Sequence, residues 1–329
     1  MWQEFTYKGP AGSRPYFVYT PENYQVGTAV PLVVMLHGCT QTAADFAAGT
    51  QMNALADQYH FIAVYPQQTS ACNQNLCWNW FTSSNQSRGH GEPAIIAGMV
   101  RAIEQHTSQW MIDTSRMYAA GLSAGAALAV ILGATYPDLF AAIGVHSAVE
   151  YRAATNTIDG LKAMRQGGPN PLQQGQAAYD AMGTAARAIP TIVFQGTSDV
   201  IVNPLNGDQV VQQWMQTDRL ASHDTYHADF NSPTSTGTGQ VPAGRSYTVS
   251  KWNDDNGGEL QEYWKVDGMG HAWSGGNPDG SYTDPLGPNA SLAMNQFFVN
   301  HPMHIHKAYK VLPWWNLRAM RERLLKRLR

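Results

Sequence analysis

The sequence predicts an α/β fold in which a mostly parallel central sheet carries helices on both faces. Continuous apolar runs of strand length recur at residues 30–36, 61–65, 117–122, 141–146 and 189–194. Strands without polar alternation are those buried on both faces, and segments at helical spacing separate them. The strand at 117–122 runs through Gly121-Leu122-Ser123-Ala124-Gly125 straight into an alanine-rich helix over 124–135, with no proline before Pro137. Such a strand-to-helix turn is tight enough to hold the serine at its apex in strained backbone with its hydroxyl exposed. A β-carbon at Gly121 or Gly125 would collide with neighbouring backbone.

In chain order, residues 14–20 alternate as a strand before Pro21, and 30–36 form a central strand ending in His37-Gly38-Cys39-Thr40. A helix is expected over 43–59, with Phe46, Met52, Leu55, Ala56 and Tyr59 at helical spacing, then a strand at 61–65 stopped by Pro66. The polar stretch 67–91 is too long for a simple connection and holds Cys72, Cys77, Trp78, Asn79, Trp80 and Phe81. Loops at the strand ends of such sheets are where substrates are gripped. A helix over 92–110 leads to the serine turn. Residues 150–183 lose strand periodicity and gather Gly167-Gly168-Pro169-Asn170-Pro171, which reads as an insertion over the site, a cap spanning about 150–186. Gly196-Thr197-Ser198-Asp199 sits on the end of the 189–194 strand, and 208–220 is helical. Residues 246–252 and 259–266 read as a hairpin around Asn253-Asp254-Asp255-Asn256-Gly257-Gly258, followed by Gly268-Met269-Gly270-His271-Ala272-Trp273 and a last helix over 288–299.

The chain has 329 residues with 43% hydrophobic content, ample for one large core. A net charge of −3 with 14% charged residues implies no nucleic-acid partner. The charge is uneven, however. Residues 303–329 hold eight of the 21 Lys and Arg but only one, Glu322, of the 24 Asp and Glu. A catalytic domain over 1–300 is therefore expected to carry a basic tail over 301–329. Within that tail, 314–328 places Leu317, Met320, Leu324, Leu325 and Leu328 on one helical face among Arg318, Arg321, Arg323, Lys326, Arg327 and Arg329. This basic amphipathic pattern suits either an anionic surface or docking on its own domain. No apolar run reaches membrane-spanning length. The start lacks the charged and apolar regions of a signal peptide, so the protein either stays inside the cell or begins after processing.

Serine is a poor nucleophile until a base takes its proton, and the base needs an acid to set its tautomer. Ser123, Asp199 and His271 occur in the order serine, acid, histidine, each in a loop directly after an expected strand. Asp199 is preferred over Asp208, Asp224 and Asp267 because it alone lies in the turn after 189–194. His271 is preferred over the other histidines because the glycines around it let its loop fold back over the serine. Oxyanion donors would be the backbone N–H groups of Cys39, on the His-Gly strand end, and Ala124, the residue after the nucleophile. His37 is expected to brace its loop. His304 and His306 lack a third ligand of suitable spacing, so no metal site and no cofactor are expected.

Leu36-His37-Gly38-Cys39-Thr40-Gln41, Cys77-Trp78-Asn79-Trp80-Phe81, Gly121-Leu122-Ser123-Ala124-Gly125 and Gly268-Met269-Gly270-His271-Ala272-Trp273 together resemble the poly(3-hydroxybutyrate) depolymerase and feruloyl esterase-like family of α/β-hydrolases. The resemblance spans roughly residues 12–299 and implies an α/β-hydrolase fold, no cofactor and ester hydrolysis through an acyl-enzyme. By motif it makes Ser123 the nucleophile, Asp199 the orienting acid and His271 the base. Substrates in the family include polyhydroxyalkanoates, short esters and feruloylated plant polysaccharide. Polyester is the expected substrate, with feruloyl or acetyl-xylan esters as the alternative. A non-catalytic polymer-binding protein on the same scaffold is the alternative of another class. The basic tail is not part of the family pattern.

Cys39, Cys72 and Cys77 are odd in number, so at most one internal bridge forms. The resemblance pairs the oxyanion loop with the Trp-Asn-Trp loop and so favours Cys39–Cys77 over the local Cys72–Cys77. That bridge would argue for an oxidising compartment, secreted or periplasmic, over the cytoplasm. Ten Trp and 15 Tyr with few charges suggest a surface that touches an uncharged sugar or polyester. Trp78, Trp80 and Trp273 are expected to line an open groove that holds the polymer flat against their rings. A monomer is expected.

Overall fold

A computed structural model describes residues 1–223 and 225–303. Ten strands form one sheet: β1 (Trp2–Gly9), β2 (Gly12–Tyr19), β3 (Ala29–Leu36), β4 (Ile62–Pro66), β5 (Met111–Leu122), β6 (Ala142–His146), β7 (Thr191–Gly196), β8 (Ser235–Gln240), β9 (Ser246–Asn253) and β10 (Glu259–Val266). Their spatial order is β1-β2-β4-β3-β5-β6-β7-β10-β9-β8. The six strands from β4 to β10 run parallel, and antiparallel hairpins finish both edges.

Among the described residues eight helices cover the sheet: α1 (Ala43–Thr50), α2 (Met52–Tyr59), α3 (Gly91–Gln105), α4 (Ala124–Thr135), α5 (Thr157–Gln166), α6 (Pro171–Met182), α7 (Leu205–Ala221) and α8 (Ala290–Asn300). The alternation of side chains along a strand divides them between two cores. Val30, Leu32, Val34 and Leu36 of β3 join the core under α3, α4, α6 and α7, whereas Val33 and Met35 join the one under α1, α2 and α8. Every residue of α4 is buried, which its run of Ala, Gly and aliphatic side chains permits at close range. The predicted fold class, a mostly parallel sheet with helices on both faces, is the one observed.

Three differences from the sequence reading have physical causes. The expected helix over 43–59 is two helices broken at Gln51, which is left-handed at φ 54°. There the Thr50 carbonyl accepts a bond from Ser291 on α8 at 2.6 Å. β8 carried no apolar signal because it is almost wholly exposed and held by its register with β9, whereas β1 is an edge strand with one face half-buried, its Phe5 and Tyr7 packing against the core. β5 begins at Met111, where a polar half-exposed stretch pairs with the start of β3 before the buried run. Between β6 and β7 the chain makes α5 and α6, with Asn170 capping the N-terminus of α6 ahead of Pro171. The amphipathic tail helix at 314–328 and the pair His304 and His306 lie outside the described residues.

Candidate active site

Ser123 ends β5 and starts α4 with φ 56° and ψ −122°, a conformation that non-glycine residues rarely adopt. The turn packs directly onto the end of β3. A β-carbon at Gly121 would lie 2.6 Å from the Leu36 carbonyl oxygen, and one at Gly125 would lie 2.6 Å from that of His37. That approach brings the His37–Cys39 segment beside the serine: a β-carbon on Gly38 would sit 3.5 Å from Ser123 Cβ.

The backbone donors around this point divide cleanly. Gly38 N–H donates to Gln41 Oε1 at 2.8 Å, Thr40 N–H to the Asn75 carbonyl at 2.7 Å, and Ser123 N–H to the His146 carbonyl at 2.9 Å. Among the described residues the N–H groups of Cys39 and Ala124 donate to nothing. Two unengaged donors beside a half-buried serine hydroxyl are what a developing oxyanion requires.

Cys39 is joined to Cys77 by a disulfide across 38 residues of sequence, and Cys72 is free and exposed. The loop that carries Cys77 is fixed from behind by Glu92 on α3. Its carboxylate accepts from Asn79 N–H at 2.6 Å, Asn79 Nδ2 at 2.8 Å, Gln68 Nε2 at 2.5 Å and Arg14 at 3.2 Å. His37 braces the same region. Its Nε2 accepts from Gln68 N–H at 3.1 Å and its Nδ1 faces the Gly38 carbonyl at 2.8 Å, while burial lowers the ring's pKa to about 4.

The second half of the site forms where β7 and β10 end side by side, with Val266 opposite Gly196. Ser198 N–H donates to the Met269 carbonyl at 3.0 Å, stitching the two loops together. His271 Nδ1 lies 2.8 Å from Asp199 Oδ2, with both side chains almost fully buried. Asp199 Oδ1 accepts from Ile201 and Val202 N–H at 2.9 and 2.8 Å, and Gln195 Nε2 reaches Oδ2 at 3.3 Å. Burial alone, the largest influence, would push the Asp199 carboxyl up. The hydrogen bond and attraction of His271, with the two backbone donors, together hold it below the usual carboxylate range. This is a carboxylate built to stay charged and to orient one imidazole nitrogen. Among the described residues no group of three His, Cys, Asp or Glu is arranged to hold a metal ion.

The structure corrects the expected aromatic groove. Trp78 and Trp273 are 0% and 1% exposed and Trp80 is 6% exposed, so none presents a ring face to solvent. Trp78 packs near His37, and Trp273 stacks on His146 and meets Phe46 edge-on. Their bulk fills the core behind the loops, a role that loop position alone does not distinguish from a binding face. Trp80 alone keeps a place near the serine, in a small cavity lined also by Ser123, Ala124, Ala127, Ala148, Val149, Met164 and Val202. One exposed aromatic does lie at the site: Tyr282, 45% exposed, meets the His271 ring edge-on at 6.5 Å, with its hydroxyl 3.1 Å from Thr40 Oγ1. The exposed apolar residues on the α5 side are aliphatic. Ile158 and Leu161 on α5, and Val200, Ile201 and Leu205 after Asp199, are all 45% exposed or more. The 199–205 segment is bound to α5 through Asn203 N–H and the Met164 carbonyl at 2.7 Å.

Sequence reasoning missed two buried polar groups around the site, His146 and Gln195, though both stand at C-terminal ends of parallel strands, where sites form. It missed Glu150 as well. That side chain is 2% exposed, neither oxygen has a partner, and burial raises its pKa to about 9 from 4.5. The folded protein thus keeps a proton that the unfolded chain releases. The stability this contributes is complete below pH 4.5 and lost as pH rises toward 9. The melting temperature should fall by roughly 5 °C across that window, and Glu150→Gln should flatten the fall. An equally steep fall in Glu150→Gln, followed by calorimetry, would assign it to other groups.

Comparison with known proteins adds an independent line. Residues 15–226 match the family described as esterase PHB depolymerase. The chain is 35% identical over 262 residues to poly(3-hydroxyalkanoate) depolymerase C of Paucimonas lemoignei, covering 79% of this chain and 58% of that protein. It is 30% identical over 277 residues to a probable acetylxylan esterase A of Neosartorya fischeri, covering 80% of this chain and 67% of that protein. It therefore spans little more than half the length of the depolymerase it matches. Among solved structures, an acetyl xylan esterase from Aspergillus awamori superposes with a TM-score of 0.71 at 22% identity, covering 91% of this chain and 99% of that one. That likeness is one of fold, and the fold is the α/β-hydrolase fold.

Proposed function

The chain belongs to the esterase PHB depolymerase family, and from that premise we propose that it is a serine carboxylesterase cleaving polyester of the polyhydroxyalkanoate type through an acyl-enzyme. Ser123 Oγ attacks the ester carbonyl. His271 takes the serine proton and passes it to the departing alcohol, and Asp199 holds the imidazole in the right tautomer. The N–H groups of Cys39 and Ala124 stabilise the oxyanion. Water then hydrolyses the acyl-enzyme, with His271 again as base. The observation that carries this reading is the 2.8 Å pairing of His271 Nδ1 with a buried, multiply bonded Asp199.

Labelling by a fluorophosphonate probe tests it. An adduct on Ser123 is expected, whereas an unlabelled, correctly folded protein would favour the non-catalytic binding alternative. The Cys39–Cys77 disulfide suits an oxidising compartment, so we read the protein as secreted or periplasmic. Among the described residues no helix is long and apolar enough to cross a membrane. We read the 150–186 segment as a cap insertion, the 301–329 tail as a contact for an anionic surface and the monomer as the working unit.

For the substrate, the support is the aliphatic rim. Ile158, Leu161, Val200 and Ile201 offer apolar area without hydrogen-bonding groups, which suits a water-insoluble aliphatic polyester better than a sugar chain. Ile158→Ser with Val200→Ser should lower hydrolysis of hydroxybutyrate film about thirtyfold, since each of the two aliphatic side chains contributes roughly 1 kcal/mol. p-Nitrophenyl butyrate, which needs only the small cavity beside Ser123, should be hydrolysed at nearly the original rate. Trp78→Ala should behave differently, costing about 4 kcal/mol of stability as a core truncation and affecting both substrates alike. If the rim variant instead leaves film hydrolysis intact and methyl ferulate or acetyl-xylan proves the better substrate, the polysaccharide esterase reading replaces this one.

A further inference from the structure

Three catalytic elements arrive at the site from three strands: the serine turn from β5, the acid loop from β7 and the base loop after β10. One residue outside the proposed catalytic groups touches the serine turn, the base loop and the strand that leads into the acid loop. His146 ends β6, and its side chain is completely buried. Its carbonyl accepts the Ser123 N–H at 2.9 Å, at the strained residue itself. Its Nε2 lies 3.0 Å from Ser274 N–H, three residues past His271. Its ring stacks on Trp273, 5.1 Å away at 27°, and on Phe194 of β7, 5.5 Å away at 17°. The next residue, Ser147, donates its N–H to the Phe194 carbonyl at 2.9 Å.

A backbone amide can only donate, so Nε2 carries no proton and the Nδ1 proton faces Ser147 Oγ at 3.0 Å. Both ring nitrogens are thereby committed. The charged groups that bear on the ring are His271, which opposes its protonation, and Asp199, which favours it less strongly. Burial is the largest influence and holds the ring neutral, with a pKa lowered to about 3. An aromatic hydrocarbon would fill the same space without burying two polar atoms. The imidazole supplies what such a ring cannot, an acceptor for the Ser274 amide on the loop that carries His271.

We propose that His146 is a positioning residue that sets the serine turn, the acid loop and the base loop in catalytic register. The proposal rests on the serine esterase reading, so its test begins with wild-type protein. Failure of a fluorophosphonate to label wild-type Ser123 overturns that reading and this proposal with it. Given labelling, His146→Phe keeps the stacking and removes the acceptor. Its kcat on p-nitrophenyl butyrate and its labelling rate should both fall on the order of 10²-fold, the scale of a displaced catalytic group, with KM within about twofold. His146→Gln, which can accept from Ser274 through its amide oxygen, should restore most of the loss. Trp214→Phe, a buried change on α7, provides a core perturbation that should lower the melting temperature without touching kcat. If His146→Phe does not fold, His146→Met replaces it as the variant without an acceptor. Wild-type kcat in a folded variant without the acceptor, or equal losses in the Gln variant, would overturn the positioning role.

Discussion

Ser123→Ala is expected to remove ester hydrolysis on the order of 10⁶-fold in kcat, the scale found when a serine hydrolase loses its nucleophile. The fold should be untouched. Ser123 Oγ hydrogen-bonds to nothing among the described residues, so its loss leaves no partner unsatisfied. Alanine keeps the β-carbon, so the unusual backbone at φ 56° is neither relieved nor worsened. That strain, about 1–3 kcal/mol for a residue in such a region, is carried by the packing of Gly121 and Gly125 on β3 and by the bond to His146. An unchanged melting curve with abolished turnover is therefore the signature. Substantial residual turnover in Ser123→Ala would move the nucleophile elsewhere.

Asp199→Asn should cost about 10⁴-fold in kcat with little change in KM, and the hydrogen bonds say why. Asp199 Oδ1 receives two backbone N–H donors, from Ile201 and Val202. In asparagine that position must remain oxygen, so the amide nitrogen is forced toward His271. It would then donate to Nδ1, leaving the imidazole proton on Nε2, the nitrogen that must instead be free to take the serine proton. Gln195 Nε2 gives up only its 3.3 Å contact with Oδ2 and keeps the Gly196 and Val202 carbonyls as acceptors at 3.3 and 3.2 Å. The variant should fold, and steady-state kinetics on p-nitrophenyl butyrate read the loss. Near-native turnover would transfer the orienting role to another acid.

The parts legible in the sequence were those whose signals are local. Apolar runs marked β3, β4, β6 and β7, and two glycines with a serine marked the turn at Ser123, because each depends on neighbours a few residues away. Asp199 and His271 were legible through order along the chain and position after a strand. Their pairing at 2.8 Å follows from β7 and β10 being adjacent in the sheet. What stayed hidden depends on tertiary context. A tryptophan in a loop reads alike whether it faces solvent or fills the core, so Trp78 and Trp273 were misassigned as binding faces. His146 and Glu150 gave no motif, since their significance lies in what is packed around them. The solvent-facing edge β8 owes its form to its hairpin partner rather than to apolar patterning.

The architecture of the sheet also bears on the order in which the molecule is assembled. Both edges are built from hairpins whose partners are near in sequence, whereas the six central strands pair across long crossovers. Local pairings close quickly, and distant parallel ones wait for large loops to be ordered. Ser123, Asp199 and His271 all emerge from the slow class, on β5, β7 and β10, and the β7–β10 pairing brackets the whole of α7, β8 and β9. A chain with its hairpins and helices already formed is therefore expected to lack the assembled site. Fluorophosphonate labelling of Ser123 during refolding is expected to lag behind the return of secondary structure followed by circular dichroism.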